Sequence, residues 1–178
     1  HQTIRGLYAM LCGDYSKLDS GTPKGVELLN NNNQRNQQCL PAQLNEHGFK
    51  THFLQGAGLQ FMAKDKIMPR MGFNQTHGRE WFRKKPHLEF AWGMDDKSYF
   101  EGALTYVQQL RKQKQPWMLT LMTVGTHQPY AADEDYLARY DSPKQAAVGY
   151  LDDAIDSFLS GLEKQGVLKD TLVIITSD

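Results

Sequence analysis

Between Pro143 and Gly166, apolar side chains fall at Ala147, Val148, Leu151, Ala154, Ile155, Phe158, Leu159 and Leu162. That three-and-four spacing predicts one helix with a single buried stripe, and Gly166 supplies its C-cap. After a short break, "TLVIIT" (171–176) is rich in β-branched residues without polar alternation, which predicts a strand buried on both faces. The same order recurs upstream. "CLPAQLNEHG" reads as a short helix closed by Gly48 and "KTHFLQG" as the strand after it, while a helix over 97–112 precedes the strand in "PWMLTLMTVG". Helix, turn and buried strand, three times over, predict an α/β sandwich around a mostly parallel sheet. Between these units, "GLQFMAKDKIMPRMGF" reads as helical with a break near Pro69, and the Gly/Asn/His-rich stretch 72–78 reads as loop. The asparagine run 30–33 is too short to be more than a solvated loop.

Composition narrows the partners. Twenty Lys plus Arg balance twenty Asp plus Glu, so nothing global draws the chain to nucleic acid or to an anionic surface. No apolar run approaches the roughly 18 to 20 residues that cross a bilayer, and His1 opens into "HQTIRGLYAML" without a signal-peptide pattern. Any export or anchoring signal is therefore expected outside residues 1–178. The two cysteines, Cys12 and Cys39, flank a polar excursion that includes "NNNNQRNQQ". Their number alone is equally compatible with a bridge and with two buried thiols.

Candidate chemistry sits where such a sheet presents it, beyond the carboxyl ends of the strands. The exits after Leu54, Thr123 and Thr176 carry "QGAG", "VGTHQPY" and "SD". His127, held between a glycine and a proline, is placed either to bond its own loop or to act on a ligand. Asp178 ends an apolar run, and a carboxylate there has to be exposed, paired or bound to a cation. Thr3 precedes a short amphipathic helix. It is either the cap of that helix or a nucleophile among N–H groups that favour negative charge, and as a nucleophile it needs a base or a metal. Lys64, in "QFMAKDK", is by default a solvated lysine on a helix face.

The order of these features resembles the sulfatase-like branch of the alkaline phosphatase superfamily. Within that branch it resembles the lipoteichoic acid synthases and the phosphoglycerol transferases of periplasmic glucan synthesis. The resemblance is carried by "QTIRGLYAMLCG", "CLPAQLNEHGFKTHFLQGAGLQFMAKDKIMPRMGF", "WGMDDKSYFEGAL", "LTLMTVGTHQPY" and "YLDDAIDSFLSGLEKQGVLKDTLVIITSD", which cover most of the chain.

The resemblance implies an alkaline phosphatase-like α/β/α sandwich, with residues 1–178 as the central part of one catalytic domain continuing at both ends. It implies that Thr3 is the nucleophile and a metal ligand, Asp178 a metal ligand and His127 a catalytic group near the transferred phosphoryl group. Lys64 falls at a phosphate-binding position, and Gln55 stands where lipoteichoic acid synthases have a histidine. An acidic residue before His1 and a histidine after Asp178 would complete the metal site, so residues 1–178 alone would hold part of it and show little activity. The metal implied first is Mn²⁺, with Mg²⁺, Zn²⁺ or Ca²⁺ as alternatives.

The implied activity moves phosphoglycerol, or a related phosphoryl group, from a phospholipid head group to a glycan or polyol acceptor by way of a phospho-threonine. The implied setting is the extracytoplasmic side of a membrane-anchored protein, where Cys12 and Cys39 would pair. Phosphoethanolamine transfer, phosphodiester hydrolysis and sulfate ester hydrolysis are the enzymatic alternatives. The last lacks its usual Cys/Ser-x-Pro-x-Arg motif. A catalytically silent module binding glycan or lipid head groups is the alternative of another class.

Overall fold

The computed structural model describes residues 3–15, 23–30 and 33–178. His1 and the centre of the asparagine run lie outside them. The helices are α1 (Thr3–Cys12), α2 (Asn33–Gln37), α3 (Leu40–Glu46), α4 (Lys64–Arg70), α5 (Asp96–Lys112), α6 (Glu134–Arg139) and α7 (Pro143–Lys164). The strands are β1 (Lys50–Gln55), β2 (Gln75–His77), the short β3 (Glu89–Phe90) and β4 (Gly93–Met94), and β5 (Trp117–Met122).

Among the described residues the main sheet has the order β2-β1-β5, and both pairings are parallel. Parallel strands need both faces covered, and β1 alternates accordingly. Phe53 packs with Ile4, Leu7 and Tyr8 of α1 and with Ile67 and Met68 of α4. Its neighbour Leu54 packs in the opposite layer with Tyr99, Ala103 and Val107 of α5 and with Ala154, Phe158 and Leu162 of α7. The expected α/β/α sandwich is present. Cys12 and Cys39 are joined by a disulfide that ties the end of α1 to the residue before α3.

Helix boundaries follow local chemistry. Ser142 caps α7, its hydroxyl accepting from the Gln145 N–H at 3.3 Å, with Pro143 in the first turn. Gly48 after α3 (φ +82°) and Gly166 after α7 (φ +69°) take the left-handed conformation that ends a helix. The buried line of α7 differs in detail from the expected stripe. Val148 is half exposed, whereas Tyr150, two residues on, is enclosed because its hydroxyl reaches a buried acceptor at the start of α5.

Four other expectations are corrected. Pro69 does not interrupt α4 but lies in its last turn, where it withholds only one backbone donor. The break falls upstream, at Met62 (φ 59°) and Ala63 (φ 50°). The stretch 72–78 contains β2, recruited by ladder bonds to β1 although its side chains are polar; strand formation at an edge depends more on a neighbour than on propensity. Part of the asparagine-rich excursion is helical, as α2. Finally, residues 171–178 form no ladder among the described residues, and Leu172, Ile174 and Ile175 are exposed. A β-branched run supplies strand propensity, but no hydrogen-bonded neighbour lies beside this one to make it a buried strand.

One side chain ties the ends of the two central strands together. The Tyr99 hydroxyl, fully buried, donates to the Leu54 carbonyl at 2.6 Å and accepts from the Met122 N–H at 2.9 Å. Tyr99→Phe removes both bonds without opening a cavity. Its unfolding free energy in urea is expected to fall by about 2 kcal/mol, and an unchanged denaturation midpoint would show that the hydroxyl bears no structural load.

Candidate active site

The crossovers create a crevice at the sheet's carboxyl edge. The chain leaves β1 towards α4 on one face and leaves β5 towards α7 on the other, so the two neighbouring exits diverge. Ligands bind at such a topological switch point. Gln55 and the 123–129 loop lie at these exits.

Lys64 opens α4 after the left-handed pair Met62 and Ala63, backbone conformations that cost non-glycine residues of order 1–3 kcal/mol each. The turn aims the lysine inward. Its side chain is 2 % exposed, not solvated, and Nζ donates to the Phe61 carbonyl at 3.0 Å. Burial lowers its pKa to about 8, with the Asp178 carboxylate opposing that shift. Asp178 itself is exposed, and its backbone and Cβ lie against Gly6 in the first turns of α1; a Cβ on Gly6 would stand 2.5 Å from the Asp178 carbonyl oxygen and 3.0 Å from its Cβ. Glycine is what permits that approach. Thr3 opens the same helix. Asp178 thus lies against the helix that Thr3 opens and within electrostatic reach of Lys64.

Gln55 is fully enclosed at the end of β1. Its side-chain nitrogen donates to the carbonyls of Ala57 (3.0 Å) and Gly58 (2.8 Å), which folds the exit loop back on itself, while Oε1 has no hydrogen-bond partner. His127 is exposed. Its backbone N–H donates to the Val124 carbonyl at 3.1 Å, but its imidazole makes no hydrogen bond among the described residues and instead meets the Trp92 ring at 5.4 Å. Trp92 in turn donates from Nε1 to the Gln128 carbonyl at 2.8 Å and meets the Phe61 ring at 5.2 Å. Phe61 links this strip to Lys64. His127 and Lys64 are therefore two ends of one aromatic rim.

Phe61 and Trp92 were not singled out in the sequence, and neither was the acidic pair Asp95 and Asp96, although two carboxylates ahead of an amphipathic helix are a capping signal. Asp95 caps α5. Burial pushes its pKa up, but N–H donors from Ser98 and Leu88 and the Tyr150 hydroxyl outweigh this and hold it below the usual range. Asp96 is equally buried and less well served. Its Oδ1 accepts from the Gly125 N–H at 3.4 Å, and Oδ2 has no partner. Burial raises its pKa to about 6 against bonds from the Gly125 and Val124 backbones, with Asp95 adding to the rise. Asp96 therefore braces the loop that carries His127, and a Cβ on Gly125 would collide with its carboxylate.

Two outcomes follow from this brace. Because the folded-state value of about 6 lies above the ordinary 3.8, Asp96 contributes stability below about pH 4 that is lost as pH rises through about 6. The difference in unfolding free energy between wild type and Asp96→Asn is expected to shift on the order of 3 kcal/mol in favour of wild type between pH 7 and pH 4; a flat difference would place the Asp96 pKa at its ordinary value. Gly125→Ala is expected to lose roughly 1–3 kcal/mol of stability at pH 7 through overpacking, and a neutral effect in thermal melts would mean that the loop is not seated on Asp96.

The comparisons agree with this architecture. Two solved structures share the fold at a TM-score of 0.74: the lipoteichoic acid synthase LtaP from Listeria monocytogenes (18 % identity, 93 % of this chain and 41 % of that one) and a protein of the alkaline phosphatase superfamily from Vibrio parahaemolyticus (23 % identity, 92 % and 39 %). In sequence, the chain is 27 % identical over 188 residues to phosphoglycerol transferase I of Escherichia coli (strain 55989 / EAEC) and, to the same extent, to that of Shigella boydii serotype 18. The alignments cover 99 % of this chain and 24 % of those proteins, so the chain spans about a quarter of their length. The family model described as Sulfatase matches residues 1–178, and the chain belongs to the sulfatase family.

Proposed function

We propose that the chain is the central part of the catalytic domain of an extracytoplasmic, membrane-anchored transferase. It moves phosphoglycerol, or a related phosphoryl group, from a phospholipid head group to a glycan or polyol acceptor. The observation that carries this reading is Asp178 set against α1's first turns within electrostatic reach of a buried, cationic Lys64. The 27 % identity to phosphoglycerol transferase I supports the choice of transferred group.

The donor set of a metal site is oxygen-rich and partial: Thr3 and Asp178 would contribute, and no group of three His, Cys, Asp or Glu side chains that could hold a metal occurs among the described residues. A divalent cation, Mn²⁺ first and Mg²⁺, Zn²⁺ or Ca²⁺ as alternatives, supplies when bound the positive charge that lowers a hydroxyl's pKa and offsets phosphate charge.

The chain's own residues account for the rest. The Thr3 hydroxyl, at a helix start where free N–H groups favour negative charge, attacks phosphorus. Thr3 gives its proton to solvent and reacts as the alkoxide; the new Thr3 Oγ1–P bond forms as the P–O bond to the diacylglycerol breaks, the leaving oxygen takes a proton, and the alkoxide is released again when the acceptor displaces it. His127 is on the exposed rim where it can deliver that proton, and afterwards take one from the acceptor hydroxyl that displaces Thr3. Lys64, largely protonated below its pKa of about 8, donates to the phosphoryl oxygens as their charge grows. Phe61 and Trp92 line the rim between these two groups.

The test is release of labelled head group from lipid by the full-length protein, with a melting curve for each variant. Thr3→Ala is expected to abolish turnover with the fold intact, because no neighbouring hydroxyl replaces a covalent nucleophile. His127→Ala is expected to retain activity reduced by about 10² to 10⁴-fold, the usual share of acid–base assistance. Near-normal turnover by Thr3→Ala, with a stability loss near 1 kcal/mol, would make Thr3 a cap and overturn the mechanism.

A further inference from the structure

On the α5 side of the sheet, at the β2 edge, lies a cavity of about 340 Å³. It is remote from the exits in the sense that its β1 residues, Lys50 and His52, belong to the first half of the strand, whereas Gln55 ends it. Its floor is His52, 5 % exposed, whose Nδ1 is 2.7 Å from the Tyr106 hydroxyl and whose Nε2 has no hydrogen-bond partner among the described residues. Trp81 forms a wall, packed edge-on against Tyr106 at 5.0 Å. Three side-chain amides, Gln75 on β2, Gln109 on α5 and Gln113 just after it, stand around the opening with no hydrogen bond to the described residues.

The charge of this pocket excludes most ligand classes. No carboxylate lines it, and its two imidazoles are not part of any group of three metal-ligating side chains among the described residues. Burial lowers the His52 pKa to about 4 and that of His77 below its ordinary value, which leaves both imidazoles neutral at pH 7. Lys50 is then the one formal charge in the lining, with no guanidinium beside it to clamp a phosphate or carboxylate. What remains is neutral hydrogen bonding. A primary amide offers a donor and an acceptor together, and so does a hydroxyl; an indole wall suits a ring whose C–H groups form an apolar face. The phenol of Tyr106, held protonated with its pKa raised to about 12 by burial, shares one hydrogen bond with His52 Nδ1, the direction of which depends on the imidazole tautomer. In either tautomer Nε2 is a buried polar atom with no partner among the described residues, and a hydroxyl, which both donates and accepts, satisfies it whichever form is present.

We propose that this cavity is a binding site for a neutral sugar residue, seated against Trp81 and held by the amides of Gln75, Gln109 and Gln113 above the His52–Tyr106 pair. The volume falls within the range of small-molecule pockets and admits one or two pyranose rings. The inference stands on the cavity and does not depend on the transferase reading.

The test is titration of the full-length protein with two uncharged glucose trisaccharides, maltotriose and laminaritriose, and with inorganic phosphate as the anionic probe. Side-chain amide resonances and calorimetry are followed together. At least one trisaccharide is expected to bind with millimolar or better affinity and to shift the amides of Gln75, Gln109 and Gln113. Gln109→Ala/Gln113→Ala, a change on the exposed face of α5 that leaves the circular dichroism unaltered, is expected to weaken binding about tenfold. Trp81→Phe keeps an aromatic wall and is expected to retain part of the affinity. Saturable binding of phosphate at these amides would overturn the assignment. So would sugar affinity equal in wild type and the double variant, or no amide shift at saturating trisaccharide.

Discussion

The hydroxyl of Tyr99 holds one end of the molecule in register. A parallel ladder fixes β1 against β5 along its length, but towards its end the Leu54 carbonyl of β1 and the Met122 N–H of β5 turn to a partner off the sheet. Tyr99 serves both from the first turn of α5. Both strand exits hang from that junction. Gln55 follows Leu54 directly, the His127 loop follows Met122, and Asp96, three residues before Tyr99 on the same helix, seats that loop through Gly125. The α5 N-terminus is thus a polar hub set inside an apolar layer, with Asp95 capping the helix and receiving the Tyr150 hydroxyl from α7.

Periodicity revealed the parts of this fold that bury a regular face. α3, β1, α5, β5 and α7 all follow from apolar spacing and from the glycines that end the helices, since burial of a stripe is a property that neighbours in sequence share. The polar hub left little trace of that kind. Tyr150 falls beside the apolar line of α7, and its enclosure depends on an acceptor 55 positions away. β2 is legible only once β1 is in place, because its ladder, not its composition, makes it a strand. The opposite case is 171–176, where composition favours a strand and no described neighbour completes it.

The candidate site was legible by the order of its motifs more than by any residue's own setting. Lys64 shows why. A lysine among "MAKDK" looks like solvent-facing charge, and its burial follows from two consecutive left-handed residues, Met62 and Ala63, in a stretch with no glycine to announce them. Phe61 and Trp92 become part of the rim only when the β1 exit and the β3–β4 hairpin are folded against each other. Gln55 is the reverse. As a strand-end amide it looked free to meet a ligand, yet its nitrogen is consumed in holding the turn that follows it.

The covalent tie between Cys12 and Cys39 has a consequence beyond cross-linking. It anchors the far end of α1, while Gly6 and Thr3 occupy the end that meets Asp178. A helix pinned at its C-terminus pivots little, so the direction in which its first turn points is set partly by a bond that exists only under oxidising conditions. In a reducing environment the same helix would be held by burial of Ile4, Leu7 and Tyr8 and by the Arg5–Glu27 ion pair, without a covalent tie. The orientation of the crevice's most exacting wall is in this sense a reading of the compartment in which the chain folds.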